Sequence, residues 1–131
     1  MRTLIVEDDF TSRILLQGFL SRFGECHIAV NGAEAIEAYR VAKAGGAPYD
    51  LICMDIVMPE MDGNEALREI RSIEKEAGIG LAEGVKVIMT TALGSLRSVS
   101  ASFGELCNAY VVKPIDTRKL LCHLMSFGLV R

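Results

Sequence analysis

Four apolar stretches of the chain each end on polar residues able to do chemistry. "TLIV" (3–6) runs into Glu7, Asp8 and Asp9, and "LICM" (51–54) runs into Asp55. "VKVIM" (85–89) runs into Thr90 and Thr91, and "AYVV" (109–112) runs into Lys113. Carboxylates gathered in one place repel one another unless a cation neutralises them. Hard oxygen donors at this density suit Mg²⁺, which takes one or two carboxylates, keeps several waters and leaves room for phosphate oxygens. A lysine ammonium adds a compact positive charge on a flexible stem, and a threonine hydroxyl can donate to an oxygen. Together these are a nucleophile, a metal site, a cation and a donor, the parts needed to hold a phosphoryl group. Singly, none is specific. An acid after a strand commonly caps the next helix, as Asp9 or Thr11 could. A lysine before a proline, as in Lys113-Pro114, is commonly a surface residue, and Asp62-Gly63 reads as turn chemistry. The joint pattern is what points to a site.

The elements that must position these groups follow from periodicity. The four runs above, with "CHIAV" (26–30), read as five short strands. Between them the spacing is helical. Leu16, Phe19, Leu20 and Phe23 share one face, and "AEAIEAYRVAKA" follows the break at Asn31-Gly32 and ends at Gly45-Gly46. "NEALREIRSIEKEA" puts Leu67, Ile70, Ile73 and Ala77 on one side. A short Ser-rich helix carries Leu96, Val99, Phe103 and Leu106, and a last one, capped by Asp116, carries Leu120, Leu121, Leu124 and Phe127. Strands alternating with helices argue for an α/β fold, a parallel sheet covered on both faces. In such doubly wound sheets, sites lie beyond the C-terminal ends of the strands, where strand order reverses. The acids stand at those ends; the second strand brings only Asn31.

Composition excludes other classes. A chain of 131 residues suits one domain, and a net charge of −3 gives no footprint for nucleic acid. No apolar run approaches the ~18 residues of a membrane span, and the N-terminus does not read as a signal peptide. Cys26, Cys53, Cys107 and Cys122 lie far apart, without the close pairs of a zinc site. They read as free thiols in a reducing compartment, the cytoplasm. A nucleotide-binding reading lacks any glycine-rich fingerprint between the first strand and first helix.

The stretches "LIVEDD", "DIVMPEMDG", "VIMTTA" and "YVVKPI", in this order, resemble the response regulator receiver domain, the phosphoacceptor module of two-component signalling and of the chemotaxis regulator. The resemblance covers essentially the whole chain and implies a flavodoxin-like fold with strand order 2-1-3-4-5, a single receiver domain over 1–131 with no output domain. It implies that Asp55 accepts a phosphoryl group from a phosphohistidine of a sensor histidine kinase or histidine phosphotransfer protein. Asp8 would bind Mg²⁺ directly, Glu7 through water, and the backbone carbonyl of Val57 would be a further ligand. Thr91, before Ala92, matches the switch hydroxyl, Lys113 the phosphate-pairing lysine, with a cis bond to Pro114, and Tyr110 the aromatic switch residue. Two frames stay open: Asp8 and Asp9 could be the acidic pair, and Thr90 the switch threonine.

The resemblance further implies a signalling switch whose fourth helix, fifth strand and last helix move to control a downstream protein. A phospho-dependent homodimer through that face is one outcome. Catalysis is limited to self-catalysed phosphotransfer and slow autodephosphorylation. The alternatives are a scaffold that never takes phosphate, and a phosphohydrolase with Asp55 as nucleophile. Phosphatases of the haloacid-dehalogenase kind need an acid two residues on, where this chain has Val57. Val57 and Leu93, two places after Asp55 and Thr91, either shield the acyl phosphate or pack on neighbours. The connection "EKEAGIGLAEG" is longer than in many receivers, and "SFGELCNAY" lacks the usual Gly-Ala pair, which leaves partner choice open.

Overall fold

The computed structural model describes residues 1–92 and 106–131. Five parallel strands form one sheet in the order β2-β1-β3-β4-β5. They are β1 (Thr3–Val6), β2 (Cys26–Ala29), β3 (Leu51–Asp55), β4 (Lys86–Thr91) and β5 (Ala109–Val112). The described helices are α1 (Phe10–Leu20), α2 (Gly32–Ala44), α3 (Gly63–Glu76) and α4 (Thr117–Ser126), with a 3₁₀ turn at Ser21–Phe23. The predicted Ser-rich helix, apart from Leu106, which stands in a turn, lies outside the described residues, as does Leu93. No described helix is long and apolar enough to cross a membrane.

Strand alternation splits the core in two. Leu4, Val6, Ile52, Met54, Val87 and Met89 face α2 and α3, where they meet Ala35, Tyr39, Leu67 and Ile70. Ile5, Leu51, Cys53, Ile88 and Val111 face α1 and α4, where they meet Leu16, Leu20, Leu120 and Leu124. β1 and β3 bury both faces throughout and β4 at all but Lys86, which is why they read as near-continuous apolar runs, whereas the edge strands β2 and β5 leave His27, Ile28 and Tyr110 exposed. Truncating one of the fully buried leucines to alanine would cost about 2–5 kcal/mol.

All four described helices begin on a side-chain cap. Asp9 accepts from the Ser12 N–H, Asn31 from Glu34, Asp62 from Glu65 and Asp116 from Arg118. Asp62-Gly63 is therefore more than a turn. Asp62 caps α3, and a Cβ on Gly63 would lie 2.2 Å from the Asp55 carbonyl oxygen, so only glycine fits. The α3 face also differs from its sequence reading, because Ala77 is exposed while Arg71 and Glu74 are buried. The long connection after α3 is a surface loop, closed by the Val85 N–H donating to the Glu74 carboxylate at 2.7 Å.

Candidate functional site

The site forms where strand order reverses, between β1 and β3. The register pairs Val6 with Met54, so the next residues, Glu7 and Asp55, emerge side by side. Asp55 ends β3 and is 6% exposed. Its successor is fixed by the Ile56 N–H donating to the Thr90 carbonyl at 3.0 Å. Lys113 is set in the same way, its N–H donating to the Thr91 carbonyl at 2.7 Å. A cis peptide bond joins Lys113 to Pro114. The Lys113 ammonium donates to Glu7 Oε1 at 3.1 Å and to Asp55 Oδ2 at 3.2 Å.

One carboxylate oxygen each from Glu7, Asp8 and Asp55 lies within 4.8 Å of the others. Glu7 is fully buried and Asp8 is exposed, so the group opens to solvent on the Asp8 side. Two carboxylates 4.8 Å apart repel by about 3.5 kcal/mol at an effective dielectric near 20. Lys113 pairs with Glu7 and Asp55. Burial and the Asp55 charge push the Glu7 carboxyl up to about 7, against the hydrogen bonds from Lys113 and the Asp9 N–H. Burial pulls the Lys113 ammonium down, but its hydrogen bond to Glu7 and the charges of Asp55 and Glu7 prevail, so it is raised and stays protonated.

Glu7 Oε2 is buried with no partner among the described residues. An unpartnered carboxylate oxygen beside two further hard oxygen donors fits a divalent cation such as Mg²⁺. Asp9 stands outside this group. It is exposed, and the Ser12 backbone N–H holds its carboxyl below the usual range. Thr91 Oγ1 donates to the Ala92 carbonyl at 3.0 Å, while Thr90 Oγ1 is buried without a partner among the described residues. Tyr110 is 45% exposed on the β5 edge, and Val57 is 65% exposed just beyond Asp55.

Contacts not read from the sequence complete the surroundings. The Arg13 guanidinium donates to the Glu7 carbonyl at 3.2 Å. Asn31 and Gly32 reach the loop between β3 and α3, where Asn31 Nδ2 donates to Glu60 Oε2 at 3.4 Å and the Gly32 N–H to the Met61 carbonyl at 3.3 Å. The Asn-Gly pair after the second strand is the available signal; the sequence reads it as a strand break, with Asn31 as that strand's one polar group at the rim.

Comparison with known proteins agrees with this geometry. The family model described as the response regulator receiver domain matches residues 3–125. The chain is 35% identical over 127 residues to the chemotaxis protein CheY of Treponema pallidum, covering 95% of this chain and 81% of that protein. Among solved structures, the Saccharomyces cerevisiae Ssk1 receiver domain, crystallised with the histidine phosphotransfer protein Ypd1, aligns with a TM-score of 0.83 at 30% identity, covering 98% of this chain and 88% of that one. The receiver domain of a Pseudomonas aeruginosa PAO1 sensor histidine kinase, with a magnesium ion coordinated in its active-site cleft, aligns with a TM-score of 0.76 at 25% identity, covering 97% of each chain. With fold, acidic rim and family model in agreement, the chain belongs to the response regulator receiver domain family.

Proposed function

We propose that Asp55 is the phosphoacceptor of a signalling switch, charged by the phosphohistidine of a sensor histidine kinase or a histidine phosphotransfer protein. One observation carries this reading. The Asp55 carboxylate stands at a strand tip, 3.2 Å from the Lys113 ammonium and inside a cluster of oxygen donors short of positive charge. A strand tip fixes the nucleophile while leaving an oxygen open for in-line attack. Glu7, Asp8, Asp55 and the Val57 carbonyl would hold Mg²⁺, which, when bound, supplies positive charge against the oxygens of the transferring group.

Lys113 does the same from the protein side, a fixed cation facing charge that develops in transfer. The aspartyl phosphate adds roughly −1.5 to −2 charge. It draws Lys113 and the Thr91 hydroxyl toward it, and Tyr110 responds on the β5 edge. Phosphorylation biases an existing equilibrium between two packings of that face, which a downstream protein or a second copy reads. The exposed Val57 covers the path of an attacking water and slows autodephosphorylation, the only hydrolytic activity assigned. Free thiols on Cys26, Cys53, Cys107 and Cys122 fit a cytoplasmic setting.

The test is incubation with a small-molecule phosphodonor, with and without Mg²⁺, followed by intact mass. The reading expects a Mg²⁺-dependent gain of one phosphate, absent in Asp55→Asn. No gain in the folded, metal-loaded protein would favour the scaffold instead.

A further inference from the structure

The loop from Asp55 to Gly63 is anchored to β4 at its start and closed back on that start at its end. The Ile56 N–H donates to the Thr90 carbonyl at 3.0 Å, and the Gly63 N–H donates to the Ile56 carbonyl at 2.7 Å. Its far part makes one bond of its own, the Met61 N–H donating to the Pro59 carbonyl at 2.8 Å. That part, at Glu60 and Met61, is also tied to the start of α2. The Gly32 N–H donates to the Met61 carbonyl at 3.3 Å, and Asn31 Nδ2 donates to Glu60 Oε2 at 3.4 Å.

Two features show that this contact shapes the loop. Glu60 holds φ at +69°, a left-handed conformation that side chains avoid unless the surroundings impose it. At Gly32, an added Cβ would lie 2.8 Å from the Met61 carbonyl oxygen, 2.9 Å from Met61 Cγ and 3.1 Å from Ala66 Cβ. The closest of these is backbone, so it cannot swing aside as a flexible side chain would. The bodies of α2 and α3 are fixed in the core by Ala35, Tyr39, Leu67 and Ile70, which leaves residues 57–62 as the part that must give way.

We propose that Asn31 and Gly32 are positioning residues for the cation site, stapling the loop that follows Asp55 to α2 so that Val57 is presented to the acidic rim. The proposal rests on reading that rim as the divalent-cation and phosphoryl site. It assigns the second strand's end a role in a site to which it brings no ligand. Residues that only orient ligands typically change metal affinity roughly 10–100-fold when altered. Here the orientation acts through a backbone contact, and glycine is required for it.

The experiment is calorimetric titration of MgCl₂ into the full chain, with thermal melts alongside, for the wild type, Gly32→Ala and Asn31→Ser. Serine keeps a capping oxygen for α2 but has no amide to reach Glu60. Gly32→Ala is expected to raise the Mg²⁺ Kd roughly tenfold, and Asn31→Ser to raise it less, with its melting temperature close to wild type. A lowered melting temperature with unchanged Kd in both variants overturns the proposal and leaves the phosphoacceptor reading standing. If Gly32→Ala fails to fold, Asn31→Ser decides, and an unchanged Kd there overturns it too. A wild-type protein that binds no Mg²⁺ overturns the reading of the rim and the staple with it.

Discussion

The two ends of the sheet each bury charge, and they treat it in opposite ways. At the N-terminal ends of the strands, Arg71 and Glu74 are 7% and 2% exposed. There, Arg71 donates to Glu74, the Val85 carbonyl, the Leu106 carbonyl and Asn108. Glu74 also accepts from the Tyr39 hydroxyl at 3.2 Å and the Val85 N–H at 2.7 Å. Charges match one to one and both groups are bonded on every side. At the C-terminal ends, three carboxyls cluster, Lys113 pairs with Glu7 and Asp55, and Glu7 Oε2 has no partner among the described residues. A buried pair that satisfies itself holds α2, α3 and the approach to β5 together. A buried cluster that does not is poised to take something in. The difference teaches that burial of charge alone does not mark a site; unbalanced burial does.

The satisfied end should break hardest. Glu74→Ala leaves Arg71 buried and unpaired and is expected to cost about 3–5 kcal/mol in chemical denaturation. The folded fraction should still take phosphate on Asp55. Replacing both partners with methionine should recover most of that loss; a double variant as unstable as the single one would mean the network holds more than its own charges.

At the acidic rim the sign reverses. Glu7 has a folded pKa of about 7 against 4.5 in the unfolded chain. The native state therefore holds this proton more tightly, and stability from this group is fully present below about 4.5 and lost as pH rises through 7. In metal-free protein at pH 8, Glu7→Gln should be more stable than wild type, by about 3 kcal/mol. Denaturation curves across pH check this, and a flat difference between the two proteins would refute the imbalance. Mg²⁺ should remove the advantage, because cation binding stabilises only the wild-type carboxylate.

Smaller effects sharpen the boundary of the site. Val57→Asn replaces an exposed apolar cover with a group able to orient water. It should speed loss of the phosphate label about tenfold, some 1.4 kcal/mol in barrier, with stability unchanged. Asp62→Ala removes the α3 cap and should cost about 1 kcal/mol, read as a shift in denaturation midpoint; a loss of phosphate uptake larger than that would place Asp62 closer to the chemistry.

The sheet and most helices were legible because their signals are local. "TLIV" and "AYVV" match β1 and β5 residue for residue, and the acids at strand tips fix which end carries the site. β4 runs two residues beyond its reading because Thr90 and Thr91 hydrogen-bond and bury like the apolar residues before them. Arg71 and Glu74 were invisible as core. Charged residues on a helix default to the solvent face, although their places four and seven residues beyond Leu67 put them on its apolar stripe. Their partners, Tyr39, Val85, Leu106 and Asn108, come from other elements, so no local pattern announces them. The same holds for Asn31, Gly32 and Met61, which meet only once the sheet has brought α2 beside α3.

The most direct measurement is to locate the phosphate. The protein is charged with a phosphodonor and Mg²⁺, and the acyl phosphate is reduced with borohydride, which converts the modified aspartate to homoserine. Peptide mass mapping then finds the position. The account predicts homoserine at residue 55 and nowhere else. Conversion at Asp8 or Asp9, or at no aspartate in protein that has gained phosphate, would contradict it.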